Sequence, residues 1–221
     1  MSSFPKKIIG LDNPDKTFHE EWSKSRDLLN FPHPFRAVML GTPNCGKGNF
    51  IKNIIIRAKP EFEEIYCIHC DAEYTKEWED IGAVMLDEIP DPKAWEGKVK
   101  TLVVIDDYEL QGLSKIQKHN LDRLFGFVST HKNISVCLAL QDAFSVPPIV
   151  RRCSNIFVLW KVADLDSMSR IARKVSVPVK VFNQIFKNHM PNVHDSLTVD
   201  MTSKSPCVLR KNGYERIEIK K

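Results

Sequence analysis

RAVMLGTPNCGKGNFIKNIIIRA, residues 36–58, changes character twice within 23 residues. Arg36 to Leu40 is an apolar run, and Pro32 and Pro34 block a helix before Phe35, so the run reads as a buried strand. From Lys47 onward the spacing changes, with Phe50, Ile51, Ile54 and Ile55 falling on one helical face. A glycine-bearing loop joins the two. Strand, glycine loop and helix, in that order, set the frame for the rest of the chain.

Working outward, EIYCIHC (64–70), AVML (83–86) and VKTLVVIDD (99–107) are short apolar runs that read as buried strands of a parallel sheet. LSKIQKHNLDRLFGFVSTHKN (113–133) spaces Ile116, Leu121, Leu124, Phe125 and Val128 as one helix, and ISVCLALQD (134–142) and IFVLWK (156–161) read as further strands. DLDSMSRIARKV (164–175) predicts a helix capped by Asp164, and PVKVFNQIFKNHM (178–190) one begun by Pro178. CVLRKNGYERIEI (207–219) places Asn212-Gly213 between two alternating runs, a strong hairpin signal. The expected fold class is α/β: a mainly parallel central sheet flanked by helices, finished by a C-terminal antiparallel hairpin. A polar, proline-bearing arm is expected over residues 1–31 and a single domain over 32–221.

A chain of 221 residues, 43% hydrophobic and 27% charged, is large and apolar enough to bury one sizeable core. No apolar run approaches the ~18–20 residues that span a bilayer, and the first residues lack the apolar segment of a signal peptide, so a soluble, non-secreted protein is expected. The six cysteines sit mostly singly in apolar runs, as reduced thiols of a cytosolic or nuclear protein do. Cys67 and Cys70 lack a second ligand pair at zinc spacing, and residues three apart on a strand point to opposite faces. The net charge of +4 conceals segregation. Residues 60–110 carry 15 acids against 4 bases, whereas residues 111–221 carry 18 bases against 8 acids. Such a division suits attraction of a polyanion to one surface, pairing of opposite faces between subunits, or plain solvation.

Gly41-Thr42-Pro43-Asn44-Cys45-Gly46-Lys47 has the GxxxxGK spacing, with a strand before it and a helix after it. Phosphate chemistry uses this arrangement because backbone N–H groups converge at a helix N-terminus while the lysine reaches the β and γ phosphates. The candidate nucleotide-binding residues are therefore Gly41, Thr42, Pro43, Asn44, Cys45, Gly46, Lys47, Gly48 and Asn49. Without such a role the stretch would be an ordinary turn before a helix with a surface lysine. Gly48 departs from the pattern, since a hydroxyl there would ligate Mg²⁺. Water could fill that position, a nearby hydroxyl such as Thr42 could replace it, or the loop could bind nucleotide without turning it over.

VVIDDYE ends a strand in Asp106 and Asp107. Asp106 would hold Mg²⁺ directly or through water, and Asp107 would polarise the attacking water as general base, a role more often given to glutamate. Gln141 closes the next strand, where its amide can sense γ-phosphate or orient the water. Arg151 and Arg152 lie near a strand start. A guanidinium there could stabilise a transferring phosphoryl group in its own or a neighbouring subunit, or simply serve the surface or a DNA backbone.

FPHPFRAVMLGTPNCGKGNF, TLVVIDDYE and STHKNISVCLALQDAFSVPPIVRRCSNIFVLWK together resemble the genome-packaging ATPases of large and mid-sized eukaryotic DNA viruses and Polinton-like transposons, a poxvirus-type branch of the FtsK/HerA superfamily. The third piece is the most specific, and the match covers roughly residues 32–175. The resemblance implies an additional-strand, RecA/FtsK-like P-loop NTPase fold in which the Walker B strand lies between the P-loop strand and another. By position, Gly41, Gly46 and Lys47 match the Walker A residues, Asp106 and Asp107 the Walker B pair, and Gln141 the sensor. It also implies ATP and Mg²⁺ as cofactors and a homo-oligomeric ring of five or six subunits acting on double-stranded DNA at a viral capsid vertex. The expected place is the host cytoplasm or nucleus, in a viral factory, with association with the virion. A catalytically slow, nucleotide-binding virion assembly protein is the rival reading. A small-molecule kinase is a third, although no arginine-rich acceptor lid is distinct.

Overall fold

The computed structural model describes residues 29, 31–71, 76–142, 144–161, 165–202 and 208–218. The arm expected over residues 1–31, apart from Leu29 and Phe31, and the Asp164 cap lie outside the described residues. Each apolar run expected as a strand is one: β1 (Arg36–Leu40), β2 (Glu64–Ile68), β3 (Val84–Leu86), β4 (Thr101–Asp106), β5 (Ile134–Leu140) and β6 (Ile156–Leu159). They form the parallel part of a nine-stranded sheet of order β3-β2-β4-β5-β1-β6-β7-β8-β9. Strands β7 (Leu197–Asp200), β8 (Val208–Lys211) and β9 (Glu215–Ile217) extend it antiparallel.

Two features differ from expectation. The acid-bearing strand β4 has β2 and β5 as its neighbours, so β5, the strand that ends before Gln141, is the one inserted between β1 and β4. The antiparallel edge has three strands instead of a lone hairpin. The extra one, β7, buries Thr198 and Asp200 along with its apolar residues, and Asp200 pairs with Arg210 of β8 at 3.1 Å.

Helices cover both faces. On one, α1 (Lys47–Arg57) buries Phe50, Ile51 and Ile54 against Met39, Val104, Ala139 and Trp160, with α2 (Lys76–Glu79) contributing Trp78. Each fully buried side chain of this size contributes about 1.5–3 kcal/mol. On the other face pack α3 (Lys115–Arg123), α4 (Pro148–Cys153), α5 (Leu165–Lys174) and α6 (Val179–His189). After α3 the chain makes a π-helical turn, Leu124–Val128, that keeps Leu121, Leu124, Phe125 and Val128 in the core. Ile116, grouped with them by spacing, is instead 73% exposed. It precedes Leu121 by five residues, about 140° around a helix, so it faces away. Asn120 takes the inward position and donates from Nδ2 to the Ile89 carbonyl at 3.1 Å. No helix among the described residues is long and apolar enough to cross a membrane.

Candidate functional site

Parallel strands deliver all their C-terminal ends to one edge of the sheet, and the phosphate-type loop begins there. The Gly41 N–H donates to the Leu140 carbonyl at 3.2 Å, tying the loop to β5 as it leaves β1. A Cβ on Gly41 would come within 2.5 Å of Cys45 Sγ and 2.8 Å of Trp160 Cβ, so packing requires glycine. Gly46 has φ 109°, a left-handed conformation that permits the sharp turn into α1, and it offers no side-chain cap. The first-turn N–H groups are thus available to an anionic ligand. Lys47 is only 6% exposed, its Nζ donating to the carbonyls of Gly41 (2.8 Å) and Thr42 (3.1 Å). Thr42, Pro43, Asn44 and Asn49 are exposed around it. At Gly48 an added Cβ would meet nothing within 4 Å, so neither packing nor a left-handed φ demands glycine there.

Strand alternation puts Asp106 on the α1 face, with Val104. Burial, and then the charge of neighbouring Asp107, push its carboxyl up to about 6; His69 and Lys47 oppose that rise and Glu77 adds to it. Asp107 adopts φ 44° and donates its N–H to the Ala139 carbonyl at 3.2 Å. Gln141 Nε2 donates to Asp107 Oδ2 at 3.2 Å. The Cys45 thiol, raised chiefly by burial, feels both Lys47 and Asp107. Lys47, Asp106, Asp107 and Gln141 are therefore gathered on one edge.

Arg151 and Arg152 are not brought there. They end α4 on the sheet face opposite α1, where Lys174 Nζ donates to the Arg152 carbonyl at 2.8 Å and also to that of Arg151. Two residues beyond α4, the Asn155 N–H donates to Arg36 at the start of β1, so the chain has by then reached the far edge.

Sequence reasoning misses several residues that the fold adds. His69 follows β2 on the same edge as Asp106, and its Nδ1 accepts from the Asp71 N–H at 2.9 Å. His69, exposed Cys70 and exposed Asp71 hold ligand-type atoms within 4.8 Å of one another. In the sequence, His69 and Cys70 belong to the Cys67-Ile68-His69-Cys70 run, whose zinc reading the spacing argument sets aside. From the C-terminal part of the chain, His194 Nδ1 donates to the Cys45 carbonyl at 3.3 Å, reaching the phosphate-type loop itself. At the β8–β9 turn, a Cβ on Gly213 (φ 81°) would lie 1.9 Å from Leu29 and 3.1 Å from Phe50, so this turn is pressed onto α1.

No protein-family model and no curated protein sequence matches the chain. Its mostly parallel α/β fold is shared with solved ATPase structures. It is similar to B204, the DNA-packaging ATPase from Sulfolobus turreted icosahedral virus, with a TM-score of 0.60 and 15% identity over 82% of this chain and 97% of that one. The genome-packaging NTPase B204 of Sulfolobus turreted icosahedral virus 2, in complex with AMP, gives 0.61 and 16% over 80% and 96% of the two chains. TcpA, the pCW3 conjugation coupling protein, with ATPγS, gives 0.53 and 15% over 82% and 60%.

Proposed function

We propose that this chain is an ATP-hydrolysing motor that translocates double-stranded DNA, and specifically one that packages a viral genome into a preformed capsid. The observation that carries the reading is the meeting of Lys47, Asp106, Asp107 and Gln141 on one sheet edge beside an uncapped helix N-terminus. Likeness in fold to a DNA-packaging ATPase and to a conjugation coupling protein supports DNA as the track.

The donor set fits a hard divalent cation. Two adjacent carboxylates, one raised to about 6 by burial and by its neighbour, gain from a positive charge between them. Asp106 would hold Mg²⁺ directly or through water, and the open space beside Gly48 leaves room for a water ligand in place of a hydroxyl. When bound, Mg²⁺ would neutralise charge on the β and γ phosphates. Lys47 and the first-turn N–H groups of α1 would grip the phosphates. Asp107, oriented by the Gln141 amide on Oδ2, would take a proton from water as that oxygen bonds to the γ phosphorus and the β–γ bridging oxygen departs with ADP. Positioning and charge stabilisation, without a covalent intermediate, would supply the rate.

In a ring of five or six subunits at a capsid vertex, Arg151 or Arg152 would act on a neighbour's nucleotide or on DNA. The basic second half of the chain, including the exposed Lys115 and Lys118 of α3, would hold the DNA backbone. Phosphate release with Mg²⁺-ATP, measured with and without duplex DNA, tests the proposal. DNA is expected to raise turnover several-fold, and DNA affinity to fall steeply with salt. ATP binding without turnover under either condition would replace the motor with the assembly-protein reading.

A further inference from the structure

A cavity of about 540 Å³ opens beside the phosphate-type loop, bordered there by Cys45, Gly46 and Asn49, and its outer wall takes no part in the phosphate chemistry above. That volume lies within the range of small-molecule sites, roughly 300–1,000 Å³. Cys45, Asn49, Phe50 and Trp160 line its inner side, and His194 and Tyr214 come from the C-terminal part of the chain.

Sheet order gives the cavity a direction. Asp106 and Asp107 end β4, two strands from β1 on one side, whereas Trp160 follows β6 and Tyr214 belongs to the β8–β9 turn, both on the other side. A triphosphate gripped at Gly46 and Lys47 with its γ end toward Asp107 must therefore send its α end toward the cavity. The outer wall is built to hold its place. The Asn212 N–H donates to the Ser196 carbonyl, and Asn212 Oδ1 accepts from the Ser196 N–H, both at 2.8 Å. Asn212 Nδ2 donates to Asp195 Oδ1 at 3.3 Å, and Lys211 pairs with the same carboxylate at 3.4 Å. His194, next in the chain, bonds the Cys45 carbonyl. Tyr214 is 58% exposed, so its ring lines the cavity without being locked into the core.

Resting on the phosphate-loop reading, we infer that this cavity takes the nucleoside end of the triphosphate, with Tyr214 as the residue that stacks on the base. Phe50 and Trp160 supply an apolar floor, and the exposed amides of Asn49 and Asn53, one helical turn apart, meet the polar edge. Asn53 Nδ2 donates to the Asn49 carbonyl at 2.8 Å, which sets that side chain's orientation. Aromatic stacking tolerates any base, since each has a π face, so Tyr214 sets affinity for the nucleoside more than choice among bases.

Calorimetric titration of the full chain with ATP and with inorganic tripolyphosphate, both with Mg²⁺, tests the assignment. Tyr214→Ala is expected to weaken ATP about tenfold and leave tripolyphosphate unchanged, while Tyr214→Phe keeps ATP within about twofold of the wild type. An unchanged ATP affinity in Tyr214→Ala, or equal weakening of both ligands, overturns the assignment and leaves the phosphate grip standing. A wild-type chain that binds neither ligand overturns the phosphate-loop reading, and this inference with it. Photolabelling with 8-azido-ATP is expected to place adducts in the 208–218 peptide. Adducts confined to other segments overturn the assignment even where the variant folds poorly.

Discussion

The two edges of the parallel sheet are both rich in polar side chains, and they use them differently. Where the strands begin, polar groups tie distant segments together. His33 spans Ser135 Oγ (2.7 Å) and Asn133 Oδ1 (2.8 Å), Asn155 Oδ1 accepts the Arg36 N–H (2.8 Å), and Arg36 donates to Thr130 Oγ1 (3.0 Å). Where the strands end, two carboxylates sit next to each other and a buried lysine is held by carbonyls of its own loop. Adjacent like charges oppose folding, so the edge that keeps them is the one the proposed function assigns to a ligand, whereas the other ties the fold together.

Substitutions at the ligand edge should abolish chemistry with little effect on folding. Lys47→Ala is expected to remove measurable triphosphate binding. Asp107→Asn should preserve binding while lowering turnover by about 10²–10⁴, the usual worth of a general base. At the opposite edge the pattern should invert. Asn155→Ala, which leaves the Arg36 N–H without its acceptor, should lower unfolding free energy by about 1–2 kcal/mol with turnover per folded molecule unchanged. Loss of turnover there would erase the contrast between the edges.

Asp106 sharpens the comparison through pH. Its carboxyl stands at about 6 in the fold against an ordinary 3.8, so the folded chain holds the proton more tightly than the unfolded chain does. That contribution to stability is complete below pH 3.8 and is lost as pH rises through about 6, a swing on the order of 1–3 kcal/mol. Asp106→Asn should flatten the urea midpoint between pH 4 and 7 and raise it above pH 6. Gly48→Thr is the smallest change. The position is open, so the chain should fold normally, and turnover with Mg²⁺-ATP should stay within about threefold if water already serves. A much larger gain would mean that the missing hydroxyl limits the native site.

Much of this contrast is legible in the sequence. Buried parallel strands are continuous β-branched runs, so β4 and β5 announce themselves, and the polar residues closing them must share an edge. The same logic explains why Arg151 and Arg152 do not join the Lys47 and Asp107 cluster of their own chain. They stand near a strand start, and in a parallel sheet strand starts lie opposite strand ends. β7 escapes notice because Thr198 and Asp200 interrupt its apolar residues, and their burial depends on partners such as Arg210 that only the folded sheet supplies. The His194 contact with Cys45 joins positions 149 residues apart, a separation no local pattern encodes. Hence the proposed catalytic side of the site is visible in the sequence, and the proposed nucleoside side is not.

The insertion of β5 between β1 and β4 also makes the sheet a ruler. Both neighbours are hydrogen-bonded to β5 in fixed register, so the loop after β1 and the acids after β4 stand two inter-strand steps apart, about 9.5 Å. That gauge can change only by breaking a ladder. Any mechanical stroke in this molecule must therefore come from loops and helices swinging about a span of constant width, with Gln141 at its midpoint.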